Sequence, residues 1–262
     1  MKKTIVITGG NSGIGKALVK DCIQDGNNVI MIARKSEKTM EVYDEMKKFG
    51  NGSSLKLLTG DLSVYEDIER IISELKSPID ILVNNAGLLK RKKEMSAEGI
   101  EMTMSVNYFA VYRLTMGLID AKNAPKRVVN ITSELFRKGH ADLKTILNPK
   151  KYNGQQVYAD SKIANLMFSN ELIRNFKDSM EVIAMHPGVV ATASFRDYPK
   201  WFTGLLNRFL EKPESASKKI YEVISSSNIE SGYYDQNNFV DSISKLVNDE
   251  KSMELYEFSQ KY

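Results

Sequence analysis

The chain has 262 residues, of which 42% are hydrophobic and 27% charged, and this length and composition suit one globular domain with a sizeable core. Its 37 basic and 33 acidic residues leave a net charge of +4, which is too balanced to indicate binding of nucleic acid. One cysteine, Cys22, excludes a disulfide within the chain, and no apolar stretch approaches the roughly 20 residues that cross a bilayer, so we expect a cytoplasmic protein with no membrane anchor.

The first half of the chain alternates predicted strands with predicted helices. Apolar runs predict strands at residues 4–8, 29–33, 55–58, 79–84 and 127–132. Amphipathic patterns between them predict helices at residues 14–24, 37–49, 65–75 and 97–120. This alternation is typical of parallel β-α-β units with right-handed crossovers, and strands that are apolar throughout indicate a sheet covered on both faces.

The second half continues the pattern more loosely. It predicts helices at 155–176 and 214–226, a strand at 182–186, an edge strand at 232–234 and a polar helical tail at 241–262. No repeat or linker divides the chain. We therefore expect a single domain over residues 1–262, built as a doubly wound parallel α/β sheet of Rossmann type with about seven strands flanked by helices.

A glycine loop separates the first predicted strand from the first predicted helix, with the spacing Gly-x-x-x-Gly-x-Gly. Glycines let the backbone turn tightly and approach a pyrophosphate, and the helix N-terminus offers free N–H groups and a partial positive charge to phosphates. Because the loop stands between a strand and a helix, it is typical of a dinucleotide site rather than of a plain turn. The residues that we predict to bind the cofactor here are Gly9, Asn11, Ser12, Gly13, Ile14 and Gly15.

Two basic residues, Arg34 and Lys35, follow the second predicted strand, where this architecture meets the adenosine ribose. An acidic residue there would bind the 2′-hydroxyl of NAD, whereas a basic one accommodates the 2′-phosphate of NADP. The pair could also be a solvated loop. We favour NADP(H) as the cofactor, with NAD(H) as a possibility that remains open.

Further candidate cofactor contacts follow the third and fourth predicted strands. Asp61 and Leu62 stand where the adenine ring is expected, and the run from Asn84 to Gly87 follows the next strand. Either pair could be turn chemistry alone. Because ligands of open α/β sheets bind beyond the strand C-termini, we predict that Asp61, Leu62, Asn85, Ala86 and Gly87 line the site.

Tyr158 and Lys162 stand at i and i+4 of a predicted helix and therefore share one helical face. Tyrosine, with a pKa of about 10, exchanges protons poorly at neutral pH, and a nearby ammonium group lowers that pKa. As a bare pair they could be an ordinary amphipathic surface. Beside a predicted nicotinamide site, they indicate proton transfer to or from a reacting oxygen.

Two more polar positions complete the candidate catalytic group. Ser133 ends the fifth predicted strand, where its hydroxyl could bind a substrate oxygen beside Tyr158, and Thr132 is a weaker candidate for that role. Asn107 is a polar residue in a largely apolar helix, so it is either a satisfied core amide or part of the site. The chain has two histidines, His140 and His186, and no carboxylate cluster accompanies them, so we predict no metal site.

Ser133, Tyr158, Lys162 and Asn107, together with the glycine loop, resemble the short-chain dehydrogenase/reductase family over residues 4–234. The pattern is most similar to the retinol dehydrogenase-like group, through residues 33–34, 158–165 and 186–192. The resemblance implies that Ser133 orients a carbonyl group, Tyr158 transfers the proton, Lys162 also holds the nicotinamide ribose, and Asn107 anchors a water that relays protons to Lys162. It also implies nicotinamide contacts from Pro187, Gly188, Val189 and Thr192.

An aromatic segment follows these nicotinamide contacts. We expect a substrate lid around residues 191–212, and its apolar residues favour an apolar carbonyl or alcohol substrate; packing on the core or on a partner subunit is the alternative. The sequence thus predicts an NADP(H)-dependent oxidoreductase that interconverts a ketone or aldehyde and its alcohol. The alternatives are an NAD-linked alcohol dehydrogenase and a non-catalytic dinucleotide-binding sensor. The resemblance implies a homodimer or homotetramer, with helices 97–120 and 155–176 as a candidate interface.

Overall fold

The sheet contains the predicted parallel strands and one more. The computed structural model describes residues 2–50, 52–140, 151–190 and 211–262. Within them, one eight-stranded sheet has the order β3-β2-β1-β4-β5-β6-β7-β8. The pairs from β3 to β7 are parallel, and β8 adds to the edge in the antiparallel direction. The strands are β1 Thr4–Thr8, β2 Asn28–Ala33, β3 Leu55–Thr59, β4 Ile81–Asn84, β5 Arg127–Ile131, β6 Glu181–His186, β7 Gly232–Asp235 and β8 Asn238–Asp241.

Helices cover both faces of this sheet, which confirms the doubly wound α/β fold. One face packs against α3, α5 and α6, and the other against α1, α2 and α7. None of the described helices is both long and apolar enough to cross a membrane. The helices are α1 Gly13–Gln24, α2 Glu37–Lys47, α3 Tyr65–Glu74, α4 Met102–Met104, α5 Ala110–Asp120, α6 Gly154–Phe176, α7 Pro213–Ser225 and α8 Asp249–Ser259.

Alternate side chains of each central strand enter opposite halves of the core. In β1, Val6 packs against the α3 side, whereas Ile5 and Ile7 pack against the α1 side. All three are at most 1% exposed. Because both faces exclude water, both alternating positions must be apolar, which explains the uninterrupted apolar runs in the sequence.

The helix predicted at 97–120 begins later in the structure, at Met102. Gly99 adopts a left-handed conformation with φ of 73°, and it closes a turn in which the Ser96 amide donates to the Ile100 carbonyl. Glu101 then caps the helix by accepting a hydrogen bond from the Met104 amide at 2.9 Å. The turn at Gly99 therefore delays the start of the helix to Met102. A π-helical stretch, Ser105–Phe109, then joins α4 to α5.

The C-terminal part of the chain also differs from expectation. The strand predicted at the edge, β7, is an inner strand, because β8 pairs with its outer side and raises the strand number to eight. Of the tail predicted as helical, only Ile243–Lys245 and α8 are helical. The segment between them includes Asn248, whose side chain caps α8 by accepting a hydrogen bond from the Lys251 amide.

Helix α8 packs on the outer faces of α5 and α6. Tyr256 stacks on Phe168 and meets Tyr112 edge-on, and the Tyr108 hydroxyl forms a 2.7 Å hydrogen bond with that of Ser259. These contacts bury aromatic surface within one chain. The helices 97–120 and 155–176, which we predict as a subunit interface, are therefore partly covered by α8 of the same chain. Homo-oligomerisation stays a prediction.

Arg127 is a buried cation that joins β5, β6 and α7. It is 5% exposed, contacts Glu181 at 2.6 Å, and donates to the carbonyl oxygens of Val223 and Ile224 at 3.2 and 2.7 Å. Carbonyls in the last turn of a helix lack intrahelical donors. The guanidinium group therefore fastens the end of α7 to the sheet.

We expect Arg127→Met to lower the free energy of unfolding by about 2–4 kcal/mol, because it removes the guanidinium donor from the Val223 carbonyl and the cation from Glu181. The Ile224 carbonyl also loses this donor and keeps only the 3.3 Å hydrogen bond from Lys3. Urea unfolding measures the change. The matched control is Lys126→Met, which breaks a 2.7 Å pair with Asp80 at a side chain that is 77% exposed. The control should cost less than about 1 kcal/mol. Equal losses in the two variants would contradict the role of Arg127.

Candidate active site

One large cavity lies beyond the carboxyl ends of the parallel strands. Its volume is about 1370 Å³, and segments that follow β1 to β6 all contribute to its wall. Strands of a parallel sheet end at the same edge, and ligands bind where the connections diverge from it. The fold therefore brings the separate sequence motifs to a single place.

The glycine loop forms one end of the cavity wall. Gly9 and Gly13 adopt left-handed conformations, with φ of 70° and 52°. A Cβ at Gly15 would lie 2.3 Å from the Gly9 carbonyl oxygen, so this glycine lets the loop close on itself. Of the six loop residues predicted to bind cofactor, all but Gly15 line the cavity: Gly9, Asn11, Ser12, Gly13 and Ile14.

The N-terminus of α1 opens towards this loop. Ser12 is the N-cap residue in an extended conformation, and within the described chain its side chain makes no capping hydrogen bond. A Cβ at Gly13 would meet no described atom within 4 Å. The first turn of α1 thus has free backbone donors and open space beside them, which suits a bound anion.

The end of β2 presents the two predicted basic residues to the cavity. Arg34 and Lys35 are exposed and line it, as does Lys38, which the sequence analysis missed. The Asn11 side chain donates to the Thr39 hydroxyl, which donates to the Arg34 carbonyl at 2.7 Å. Asn11 therefore connects the glycine loop to the backbone of the basic pair.

Asp61 and Leu62 line the next part of the wall. The Asp61 carboxylate accepts hydrogen bonds from the backbone amide and the hydroxyl of Ser63, at 2.9 and 2.7 Å. An Asp side chain commonly closes a turn in this way. The carboxylate therefore shapes the loop after β3, and Ser63 is a further cavity residue.

The turn after β4 is held against β1 by Thr8. Its hydroxyl accepts from the backbone amides of Asn85 and Ala86, at 3.0 and 2.9 Å, and the Asn85 side chain donates to the Thr8 carbonyl. Asn85, Ala86 and Gly87 all line the cavity, as predicted from the sequence. Thr8 was not singled out there, although its place before the glycine loop could have indicated it.

Lys162 anchors α6 to the end of β5. Its ammonium group donates to the Ile131 carbonyl at 2.9 Å and lies 5.4 Å from the centre of the Tyr158 ring. The Thr132 hydroxyl donates to the Lys162 carbonyl at 3.2 Å, so this hydroxyl is directed at the helix backbone. The Ser133 side chain lies close enough to the Tyr158 phenol to lower its pKa. Of the two candidate hydroxyls, Ser133 is therefore the one beside the phenol.

Asn107 is fully buried and lies behind the cavity wall. Its side-chain amide nitrogen donates to the Leu88 carbonyl at 2.9 Å and to the Ser161 hydroxyl at 3.0 Å, and its amide oxygen accepts from the Leu88 backbone at 2.8 Å. The Ser161 hydroxyl in turn donates to the Tyr158 carbonyl. In the described structure this side chain joins the turn after β4 to the catalytic helix, and its proton-relay role stays a prediction.

Burial sets the protonation of the catalytic pair. It raises the pKa of Tyr158 to about 12, partly offset by the Ser133 side chain, and it lowers the pKa of Lys162 to about 8. The net shift of the Tyr158 pKa is therefore upward, opposite to the lowering expected from the sequence, because loss of hydration on burial is the largest influence on the phenol. At neutral pH the pair is therefore a neutral Tyr158 phenol beside a Lys162 cation, and the phenol can donate its proton.

The turn after β6 closes the cavity on the side of Ser133. His186, Pro187, Gly188 and Val189 line it, and the His186 Nδ1 atom is buried with no partner in the described chain. Thr192 and most of the predicted lid at 191–212 lie outside the described residues. Within the described residues no cluster of side chains could hold a metal ion.

Several cavity residues carry no motif and were missed by the sequence analysis. Apolar ones come from the segment after the run 84–87, from the helix that follows it and from the segment after β5, and polar ones from the segment after β5 and the start of α6. The place of Leu88 and Leu89 directly after the run 84–87 could have indicated these two residues. They are Leu88, Leu89, Met102, Val106, Leu135, Lys138, Gln155 and Gln156.

Comparisons with known proteins agree with this geometry. A family model described as short chain dehydrogenase matches residues 3–202. Human retinol dehydrogenase 11 is 30% identical over 225 residues, which span 82% of this chain and 70% of that protein. Human retinol dehydrogenase 13 is 33% identical over 198 residues, 72% of this chain but 60% of the relative.

Solved structures share the fold. An uncharacterized protein from Mycobacterium paratuberculosis has a TM-score of 0.78 at 22% identity, covering 99% of this chain and 93% of its own. The NADPH-bound carbonyl reductase from chicken fatty liver has a TM-score of 0.67 at 16% identity, covering 92% and 99%. At these identities the likeness concerns the arrangement of the chain and no residue role.

We expect Lys162 to make stability depend on pH. Its pKa is about 8 in the folded state and ordinary when unfolded, so its buried charge destabilises the protein below pH 8, and this cost fades as the pH rises towards about 10. The free energy of unfolding of wild type minus that of Lys162→Met should therefore increase from pH 7 to pH 9.5, by about 1–3 kcal/mol. Lys177→Met, at an exposed position just after α6, should show no such increase. A flat difference for Lys162→Met would contradict the lowered pKa.

Proposed function

Because this chain belongs to the short-chain dehydrogenase family, we propose that it is an NADP(H)-dependent oxidoreductase that interconverts a ketone or aldehyde and the corresponding alcohol. The observation that carries the proposal is the single cavity, which joins the basic pair Arg34 and Lys35, the glycine loop and the Ser133–Tyr158–Lys162 group. A phosphate-binding end and a proton-donating end in one cavity are what hydride transfer to a carbonyl needs.

The residues present fit a nicotinamide dinucleotide. The free N–H groups at the start of α1 would receive the pyrophosphate, with space at Gly13 for close approach. Arg34 and Lys35 would bind a 2′-phosphate, since a guanidinium group pairs with phosphate through two parallel hydrogen bonds. Asp61 and Leu62 would flank the adenine, and Pro187, Gly188 and Val189 would face the nicotinamide. When bound, the cofactor supplies or accepts the hydride at C4 of its nicotinamide ring.

Tyr158 would act as the acid in the reductive direction. As a neutral phenol it can give its proton to the substrate oxygen when the carbonyl carbon gains a hydride, and it regains the proton from solvent. The Ser133 hydroxyl would hydrogen-bond the same oxygen and orient it. The Lys162 ammonium group would stabilise the tyrosinate left behind, because an opposite charge favours the ionised form.

The cavity wall near Tyr158 supports an apolar substrate. Leu88, Leu89, Met102, Val106 and Leu135 line the same described cavity as Tyr158. Binding of an apolar substrate against such side chains is favourable, because it removes apolar surface from water. The relatives named retinol dehydrogenases agree with an alcohol of apolar body as one form of the substrate.

We expect Tyr158→Phe to lower turnover of a carbonyl substrate at least about 100-fold, because general acid catalysis contributes factors of this size. The affinity for NADPH should stay within about twofold, since that hydroxyl is proposed to act on the substrate oxygen. The measurements are NADPH oxidation with a panel of apolar ketones and aldehydes, and NADPH fluorescence.

Tyr152→Phe is the matched control, because the Tyr152 hydroxyl bonds to Lys90 and Glu101 outside the catalytic group. It should keep most of the turnover. Near wild-type turnover by Tyr158→Phe would refute the mechanism. NADPH binding without turnover on any of the carbonyls would instead favour a non-catalytic dinucleotide-binding sensor.

We expect Arg34→Ala to weaken NADPH binding about 10- to 100-fold, because charge-assisted hydrogen bonds contribute about 1.5–3 kcal/mol. Binding of NADH, which lacks the 2′-phosphate, should be unchanged. Lys48→Ala removes a similar exposed charge after α2, outside the cavity, and should alter neither affinity. A wild-type preference for NADH would overturn the NADP assignment and favour an NAD-linked alcohol dehydrogenase.

A further inference from the structure

An ion pair lies directly behind the turn that follows β6. The Lys219 ammonium group, on α7, contacts both carboxylate oxygens of Glu211 at 2.8 and 2.6 Å, and it also donates to the side-chain oxygen of Gln236. Lys219 is 21% exposed and Glu211 33% exposed, so the pair is largely sheltered from water. The donated hydrogen bonds hold the pKa of the Glu211 carboxyl below its ordinary value, which keeps it ionised at neutral pH.

Glu211 holds the turn on one side. Its backbone amide donates to the Val189 carbonyl at 2.9 Å, and it pairs with Val190 in an isolated parallel bridge. Its carboxylate lies against Gly188, whose φ is 101°; a Cβ there would be 2.9 Å from a Glu211 carboxylate oxygen. Gly188 therefore permits both the left-handed turn and the close approach of the carboxylate.

Gln236 holds the turn on the other side. Its backbone amide donates to the His186 carbonyl at 2.6 Å. It does so from a left-handed conformation with φ of 59°, which is uncommon for a residue with a side chain and must be stabilised by its surroundings. The hydrogen bond from Lys219 to its side chain supplies such stabilisation.

Glu211 and Gln236 thus meet at the ammonium group of Lys219, and their backbone amides bond to the turn on either side of Pro187 and Gly188. We propose that Glu211, Lys219 and Gln236 are positioning residues that hold the turn 186–190 in the conformation that receives the nicotinamide end of the cofactor. This inference rests on the proposed function, because the turn is assigned to the nicotinamide there. The three side chains act through the backbone of the turn, and Glu211 and Lys219 act as a charged unit.

The test is Lys219→Met, with two titrations of the purified 262-residue protein. NADPH reports on the whole cofactor, and 2′,5′-ADP carries the adenosine end without the nicotinamide. We expect the Kd for NADPH to rise about tenfold, which corresponds to about 1.4 kcal/mol, while the Kd for 2′,5′-ADP stays within about twofold of wild type. In steady-state assays the KM for NADPH should rise more than kcat falls.

Two further variants separate positioning from general stability. Lys219→Arg should restore NADPH affinity in large part, because it keeps the charge, and Lys218→Met, at the neighbouring exposed lysine, should change neither Kd. The double variant Glu211→Gln with Lys219→Met should bind NADPH about as weakly as Lys219→Met alone, since coupled residues are not additive. If Lys219→Met does not fold, Gln236→Ala keeps the ion pair and is compared by the same titrations.

The outcomes distinguish this inference from the function on which it rests. Unchanged NADPH affinity in Lys219→Met, or equal loss of NADPH and 2′,5′-ADP affinity, would overturn the positioning role while the proposed function stands. Failure of the wild-type protein to bind either ligand would overturn the proposed function and, with it, this inference. A selective loss of NADPH affinity would support both.

Discussion

The hydrogen bond from the Lys162 ammonium group to the Ile131 carbonyl joins the catalytic helix α6 to the end of the central strand β5. A buried ammonium group needs such an acceptor, because removal from water without one is costly. The bond therefore determines where α6 lies along the sheet. Tyr158, one helical turn earlier, is brought beside Ser133 at the same strand end.

A set of buried amide side chains supports this arrangement from behind. Asn84 on β4 donates to Asn130 on β5, and Asn130 donates to Ser169 on α6, at 2.9 and 2.8 Å. Asn165, also on α6, donates to the Asn107 carbonyl. Hydrogen bonds between polar groups in a low-dielectric core are directional, so they specify the placement of a helix where apolar packing would tolerate sliding. The catalytic helix is therefore positioned by polar contacts along its middle, from Lys162 to Ser169.

Much of the fold could be predicted from local patterns. Uninterrupted apolar runs identified the strands of a sheet covered on both faces, and the strand–glycine–helix sequence at Gly9, Gly13 and Gly15 identified the start of a doubly wound domain. The helix start at Met102 and the extra strand β8 escaped prediction. A left-handed turn at Gly99 and pairing with β7 depend on neighbours that are not adjacent in sequence.

Periodicity and spacing along the chain were enough to predict the class of fold and the residue types gathered at the strand ends. The family was recognised from the resemblance of its motifs, and the matching family model confirms it. The surroundings of these residues depend on the tertiary structure. Burial raises the pKa of Tyr158, and the Asn107 side-chain amide donates to the Leu88 carbonyl and the Ser161 hydroxyl. Lys219 pairs with Glu211 behind the turn after β6. Hydration and hydrogen-bond partners are set by chain segments far apart in sequence, and no local pattern contains them.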